Sequence, residues 1–213
     1  SRDTSVHVTE MIDVDMSRIY NYMKNKKLSK SSGEIKLTYT AFVAYASVKA
    51  IKDFPLINSS IEQESILMKK NINLGIAIAL EPNGLIVPNI KNAEEKSLTG
   101  IAGAIADLTG RARSKKLLPE DVAEGTFSIT NYGIFGTLFG TPIINQPETA
   151  ILGMGAVRKI PVVIEQDDID TIAIKPYMFL SLSHDHRLID GMLGGKFLAR
   201  IKEILENFDT KNI

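Results

Sequence analysis

Tyr177–Leu198 reads YMFLSLSHDHRLIDGMLGGKFL, and the reading of the whole chain works outward from it. Met178, Phe179, Leu180 and Leu182 make a short continuous apolar run, the mark of a strand buried on both faces. Leu193, Phe197, Leu198, Ile201, Ile204 and Leu205 then recur at helical spacing, and Asp190 stands where the N-cap of that helix is wanted. His186 is therefore predicted at the end of a rigid strand, one turn before a helix start. His184, two residues earlier, shares its face if the strand runs that far.

Upstream, Asp167-Asp168 reads as a turn, Ile169 to Lys175 as a strand, and Thr149 to Val157 as another apolar strand. Gly125 to Asn131 is a strand ending in Thr130-Asn131. The glycine-punctuated loop YGIFGTLFGTPIINQP follows it, and a loop of that length is expected to be functional or to cover a partner. Ser97 to Lys116 is predicted as a helix with a basic last turn, followed by a short turn opened by Pro119. Asn73 to Leu80 and Leu85 to Ile90 read as strands joined by Glu81-Pro82-Asn83-Gly84, whose Asn-Gly end suits positive φ. Before them come two hairpin-like strands near Ile57 to Glu62 and Ser65 to Lys70. The helix YTAFVAYASVKAI is largely apolar, has Thr38 as its N-cap and is ended by Phe54-Pro55. At the start, Val6 to Val14 is a strand, Asp15 caps a helix bearing Ile19, Tyr22 and Met23, and Lys24 to Gly33 is a mobile connection. Strands and helices mix without a βαβ repeat, so the predicted class is α+β, helices packed on a mixed β-sheet.

The chain has 213 residues, 44% of them hydrophobic, enough to bury one sizeable core, and residues 1–213 are read as one domain. Lys+Arg and Asp+Glu both number 25, so no net field gathers nucleic acid or an anionic membrane, and neither partner is expected. There is no cysteine, which removes disulfides, a thiol nucleophile and thiolate-bound zinc, and points to a reducing compartment. No apolar run is long enough to span a membrane, and SRDTSVHVTE lacks the order of a signal peptide.

Three histidines, His7, His184 and His186, are the only imidazoles. They could in principle form a three-histidine zinc site, although no second ligand motif supports one, or be ordinary half-buried histidines. The order H-R-L-I-D-G raises His186 above that. A histidine at a strand end, an aspartate one turn on and a glycine permitting close approach suit a base in fixed surroundings. There is no nucleophile elbow, no GxxxxGK and no GxGxxG, so a histidine that activates the substrate's own nucleophile fits better than covalent serine chemistry or nucleotide hydrolysis.

HDHRLIDG, with GTFSITNYGIFGTLFGTPIINQPETAILGMG, NINLGIAIAL, GLIVPNIKNA and FPLINSS, resembles the catalytic domain of the dihydrolipoamide acyltransferases of 2-oxo acid dehydrogenase complexes. The motifs run in order through nearly the whole chain. HxxxDG alone is shared with chloramphenicol acetyltransferase, whose fold the resemblance also implies. It implies His186 as general base, Asp190 as its motif partner and Thr130 as the hydroxyl that donates to the oxyanion. Thr38, Asn131 and Gly155 are implied along the coenzyme A site.

The substrates implied are coenzyme A and a lipoamide carried on a separate domain, with no metal. The implied assembly is a homotrimer with active sites between subunits, so that Thr130 serves a neighbour's His186. That trimer would be built into a larger cage with 2-oxo acid decarboxylase and dihydrolipoamide dehydrogenase subunits, in the cytoplasm or the mitochondrial matrix. The lipoyl and subunit-binding domains typical of full-length relatives have no counterpart in these residues, and the ending NFDTKNI offers only Phe208 and Ile213 as anchors between trimers. Thr130, TPIIN and ILGMG lean towards a succinyl donor, with acetyl and branched-chain donors left open. The rivals are a catalytically silent scaffold core and a small-molecule O-acetyltransferase.

Overall fold

The computed structural model describes residues 4–28, 35–82 and 84–211. In chain order the elements begin with β1 (His7–Asp15), α1 (Ser17–Leu28), α2 (Tyr39–Asp53), β2 (Ser59–Glu62), β3 (Ser65–Met68), β4 (Leu74–Ile76), β5 (Ile78–Ala79) and β6 (Leu85–Ile86). They continue with β7 (Asn89–Ile90), α3 (Leu98–Arg113), α4 (Pro119–Val122), β8 (Phe127–Asn131), β9 (Ala150–Met154), β10 (Arg158–Gln166), β11 (Ile169–Asp185) and α5 (Gly191–Glu206).

The main sheet runs β1-β11-β9-β8-β4-β7, with β10 paired to the first half of β11. It is mixed: β8 lies parallel to β9 and β4, and the other pairs are antiparallel. The predicted α+β class is observed. Met178, Leu180 and Leu182 alternate onto the face covered by helices, while Ser181 and Ser183 are equally buried on the other, so the stretch is enclosed on both sides as its apolar run implied. Helix α5 buries Phe197, Leu198, Ile201 and Leu205. Phe197 meets Phe127 of β8 edge-to-face with centroids 5.7 Å apart, so truncating this fully buried ring should cost about 3–5 kcal/mol.

Two caps, Asp190 and Thr38, are as read, and Ser97, expected inside its helix, is a third. Asp190 accepts from the Leu193 amide at 2.8 Å, Thr38 from Ala41 at 3.2 Å and Ser97 from Gly100 at 3.1 Å. At α1 the cap moves: the Asp15 carboxylate accepts from Ser17 N at 2.8 Å, but the residue at the helix entrance is the buried Met16.

Four expectations are corrected. Lys24 to Leu28 belong to α1 rather than to a connection, because lysine is a good helix former and suits a helix C-terminus; residues 29–34 of the expected connection lie outside the described residues. The two strands expected over Asn73 to Leu80 and Leu85 to Ile90 are each cut in two. Pro88 brings no N–H to a ladder, so β4 pairs with β7 and β8 while β5 and β6 form a separate hairpin. Gly84 closes that hairpin at φ 145°, and Asn83 lies outside the described residues. Arg158–Gln166, unassigned in the sequence, is the nine-residue strand β10. Finally, Ile169 to Lys175 and Met178 to Leu182 are one strand. Pro176 stands near the hand-over from β10 pairing to β1 pairing, where a missing N–H is tolerated.

Candidate active site

His186 lies immediately beyond β11, exposed, with its backbone N–H donating to Val6 O at 2.8 Å. Its ring stacks on that of the fully buried His184, with centroids 6.0 Å apart and planes inclined by 29°. Between them in sequence, the buried Asp185 turns away. It accepts from the amides of Val6 and Arg187 and from the Arg187 guanidinium, which closes on it at 2.6 Å. Burial pushes the Asp185 carboxyl up, but the Arg187 hydrogen bonds outweigh it and hold the group below its usual range. The chain is thereby pinned on both sides of His186. Asp190 spends one carboxylate oxygen on the helix cap, which fixes the turn from His186 into α5.

The other implied residues meet at the opposite end of the sheet. Thr130 and Asn131 end β8, in register with Gly153 and Met154 of β9. The Asn131 side-chain amide donates to Thr40 Oγ1 at 3.0 Å and so joins β8 to the first turn of α2, where Thr38 caps. Gly155 follows β9, and a Cβ there would sit 1.8 Å from the Leu138 carbonyl oxygen. Only glycine lets the loop 132–147 cross so close over the strand. That loop exposes Ile134, Phe135, Phe139 and Ile143.

Within one chain His186 and Thr130 do not meet. Thr130 stands beside Gly153, Gly153 beside Ser181, and His186 lies five residues further along. At ~3.3 Å per residue and ~4.8 Å per strand step, this amounts to roughly 16 Å along the sheet and about 10 Å across it. A substrate carbonyl cannot touch both groups of the same chain.

His7 has both ring nitrogens engaged, Nδ1 3.3 Å from Ser5 O and Nε2 accepting from Ile144 N at 3.3 Å. Among the described residues no three His, Asp or Glu side chains converge as a metal-ligand set. Sequence reasoning missed three groups near the candidate residues. Glu10, on β1, places Oε1 3.4 Å from His184 Nε2. Arg187 closes on Asp185. Glu148, 3% exposed, accepts from Ser128, two residues before Thr130, at 2.9 Å. The HDHR run could have hinted at Arg187 alone; Glu10 is brought in by strand pairing, and Glu148 reads as part of a surface loop until the strand beside it is known.

The family model described as "2-oxoacid dehydrogenases acyltransferase (catalytic domain)" matches residues 1–211. The succinyltransferase component of the 2-oxoglutarate dehydrogenase complex of Buchnera aphidicola is 40% identical over 98% of this chain and 50% of its own length. The acetyltransferase component of the pyruvate dehydrogenase complex of Acholeplasma laidlawii is 42% identical over 92% of this chain and 36% of its own. The chain thus spans half or less of the length of these curated relatives. A crystal structure of a probable dihydrolipoamide acetyltransferase from Listeria monocytogenes superposes with a TM-score of 0.91 at 40% identity, covering 100% of this chain and 89% of that one. The Azotobacter vinelandii dihydrolipoamide acetyltransferase, studied for the catalytic role of a serine, a histidine and an asparagine, gives 0.89 at 31%, covering 97% and 84%. Chloramphenicol acetyltransferase, at 13% identity and a TM-score of 0.58 over 93% of this chain and 88% of that one, shares the fold alone.

Proposed function

Because this chain belongs to the family of 2-oxoacid dehydrogenase acyltransferase catalytic domains, we propose that it moves an acyl group between dihydrolipoamide and coenzyme A at the core of such a complex. The observation that carries the reading is the division of the site. An exposed histidine sits at one end of the sheet and a hydroxyl at the other, so the reacting pair is completed by a second copy of the chain, the apolar loop 132–147 supplying the kind of surface a second copy would cover. The occupant is a homotrimer, built into a larger cage and served by the decarboxylase and dehydrogenase subunits of the complex.

The chemistry follows from proton affinities. A thiol with pKa near about 8.5 is mostly protonated at neutral pH and the thiolate is the nucleophile, so the reaction needs a proton acceptor, and an imidazole is a suitable one. His186 takes the proton of the coenzyme A thiol as sulfur bonds to the acyl carbon of acyl-dihydrolipoamide. The carbonyl electron pair moves onto oxygen, and Thr130 of the neighbouring copy donates to that oxyanion. When the carbon–sulfur bond to dihydrolipoamide breaks, His186 returns the proton to the departing sulfur. Two similar thiols make the exchange nearly balanced and reversible, and neither step calls for a metal. Asp190 acts by capping α5 and holding the His186 turn. Supporting this, the Azotobacter protein was studied for a histidine and an asparagine four positions apart, as His186 and Asp190 are. On this reading Thr38, Asn131 and Gly155 line the coenzyme A arm beside Thr130.

The test is a thiol-release assay with acyl-dihydrolipoamide and coenzyme A, comparing acetyl, isobutyryl and succinyl donors by kcat/KM. Transfer that disappears in His186→Ala, with the assembly intact by size, is expected. Near-normal turnover in that variant removes the base, and an inert wild type turns the reading to a scaffold core.

A further inference from the structure

The His186 ring rests on a buried neighbour whose polar atoms the mechanism does not use. His184 is fully buried, and neither ring nitrogen makes a hydrogen bond of full geometry, so its polar contact is the electrostatic one with Glu10. The Glu10 carboxylate is 3.4 Å from Nε2. Glu10 pairs with Leu182 and Val8 with His184, so Glu10 and His184 are diagonal neighbours on one face of the β1–β11 pair. On its other side the carboxylate lies against the first turn of α5. A Cβ at Gly194 would sit 3.0 Å from Glu10 Oε1, one at Gly191 3.3 Å from it, and one at Gly195 3.3 Å from Oε2. Three glycines at helical spacing thus clear a seat for this acid at the helix end that favours an anion.

We propose that His184 is a positioning residue for His186: its buried ring is the flat surface on which the His186 imidazole lies, and Glu10, seated on the glycine face of α5, holds that ring in place. The proposal rests on His186 being the base. Burial pushes the His184 imidazole below its usual range, against the pull of Glu10 towards the charged form, and the neighbouring His186 adds to the drop. A neutral His184 leaves the imidazolium that forms on His186 without a like charge 6.0 Å away. Strand β11, helix α5 and the catalytic ring are thereby tied at one point.

Four variants test this in the assembled protein, each checked for assembly by size. His184→Phe keeps a flat buried ring and is expected to keep kcat near normal. His184→Leu keeps the burial without the plane and is expected to lose roughly tenfold to a hundredfold in kcat with KM unchanged, the scale of a misplaced catalytic group. Glu10→Ala should lower kcat in the wild type and have no effect in the His184→Phe background, because phenylalanine has no polar edge for Glu10 to hold. Equal kcat for the Phe and Leu variants, or a Glu10→Ala loss of the same size in both backgrounds, overturns the proposal. Should His184→Leu fail to assemble, the comparison of Glu10→Ala in the two backgrounds decides alone. Activity surviving in His186→Ala takes down the base and this proposal together, whereas an inactive His186→Ala beside either overturning result removes this proposal only.

Discussion

Replacing Glu148 by glutamine should remove much of the pH dependence of stability between mildly acid and mildly alkaline solution. Glu148 is 3% exposed; its Oε1 accepts from Ser128 Oγ at 2.9 Å and Asn145 Nδ2 at 3.0 Å, and Oε2 has no partner. Burial raises its pKa from 4.5 to about 7, only partly offset by those two donors. Between these values the folded chain holds a proton that the unfolded chain has released. The stabilisation is therefore whole below about pH 4.5, falls as pH rises, and is spent once pH passes about 7. The gap corresponds to about 3 kcal/mol in full, of which roughly 2 to 3 kcal/mol falls between about pH 5 and about pH 8.5.

Glutamine has the same shape, can accept both hydrogen bonds at Oε1 and does not titrate, so any constant cost of its unpaired amide cancels when the two pH values are compared. Urea denaturation of wild type and Glu148→Gln, at one protein concentration so that any contribution from the proposed assembly is the same in both, measures the difference at each pH. The variant should gain on the wild type by the stated amount as pH rises. A wild-type-minus-variant difference that stays constant within about 0.5 kcal/mol would falsify the claim that a buried, protonated carboxyl anchors the strand carrying Thr130.

On the proposed mechanism, in which its hydroxyl acts on the oxyanion and not on bound substrate, Thr130→Ala should lower kcat by roughly a hundredfold or more with a modest change in KM; a change confined to KM would assign it to binding. Inactive His186→Ala and inactive Thr130→Ala proteins, unfolded together and reassembled in equal amounts, should recover about a quarter of wild-type activity, since one site in four of a randomly mixed ring draws both groups from intact chains. No recovery would mean that the two residues serve one chain. Asp190→Ala should cost about 1 kcal/mol in thermal or urea denaturation, while Asp190→Asn, which still caps, should be nearly neutral; equal losses would show that charge, not the cap, is what α5 needs.

Local signals carried far along this chain where neighbours in sequence are also neighbours in space. Asp190 and Thr38 were legible as caps because a cap is an interaction over three residues. The enclosed strand at Met178 to Leu182 was legible because its apolar residues run closely together, though the second buried face is lined by Ser181 and Ser183. Strand β10 was not, since Pro161 and the charged residues of Arg158–Gln166 hide a strand whose ladder lies wholly with β11. The two halves of the strands around Pro88 were not either, because which partner each half takes is decided by β7, β8 and the β5–β6 hairpin rather than by the local pattern.

Composition and element order determined the α+β class and the absence of cysteine chemistry, and the family resemblance of the motifs proposed the six residues His186, Asp190, Thr130, Thr38, Asn131 and Gly155. Tertiary structure decided how they divide. It set four of them at one end of the sheet and His186 with Asp190 at the other, slid Glu10 beneath His184, and buried Glu148 behind Ser128. The physical reason is that residue type records what a side chain can do, whereas distance and dielectric come from strand register and packing between segments far apart in the chain, such as Glu10 and His184, which no local pattern specifies.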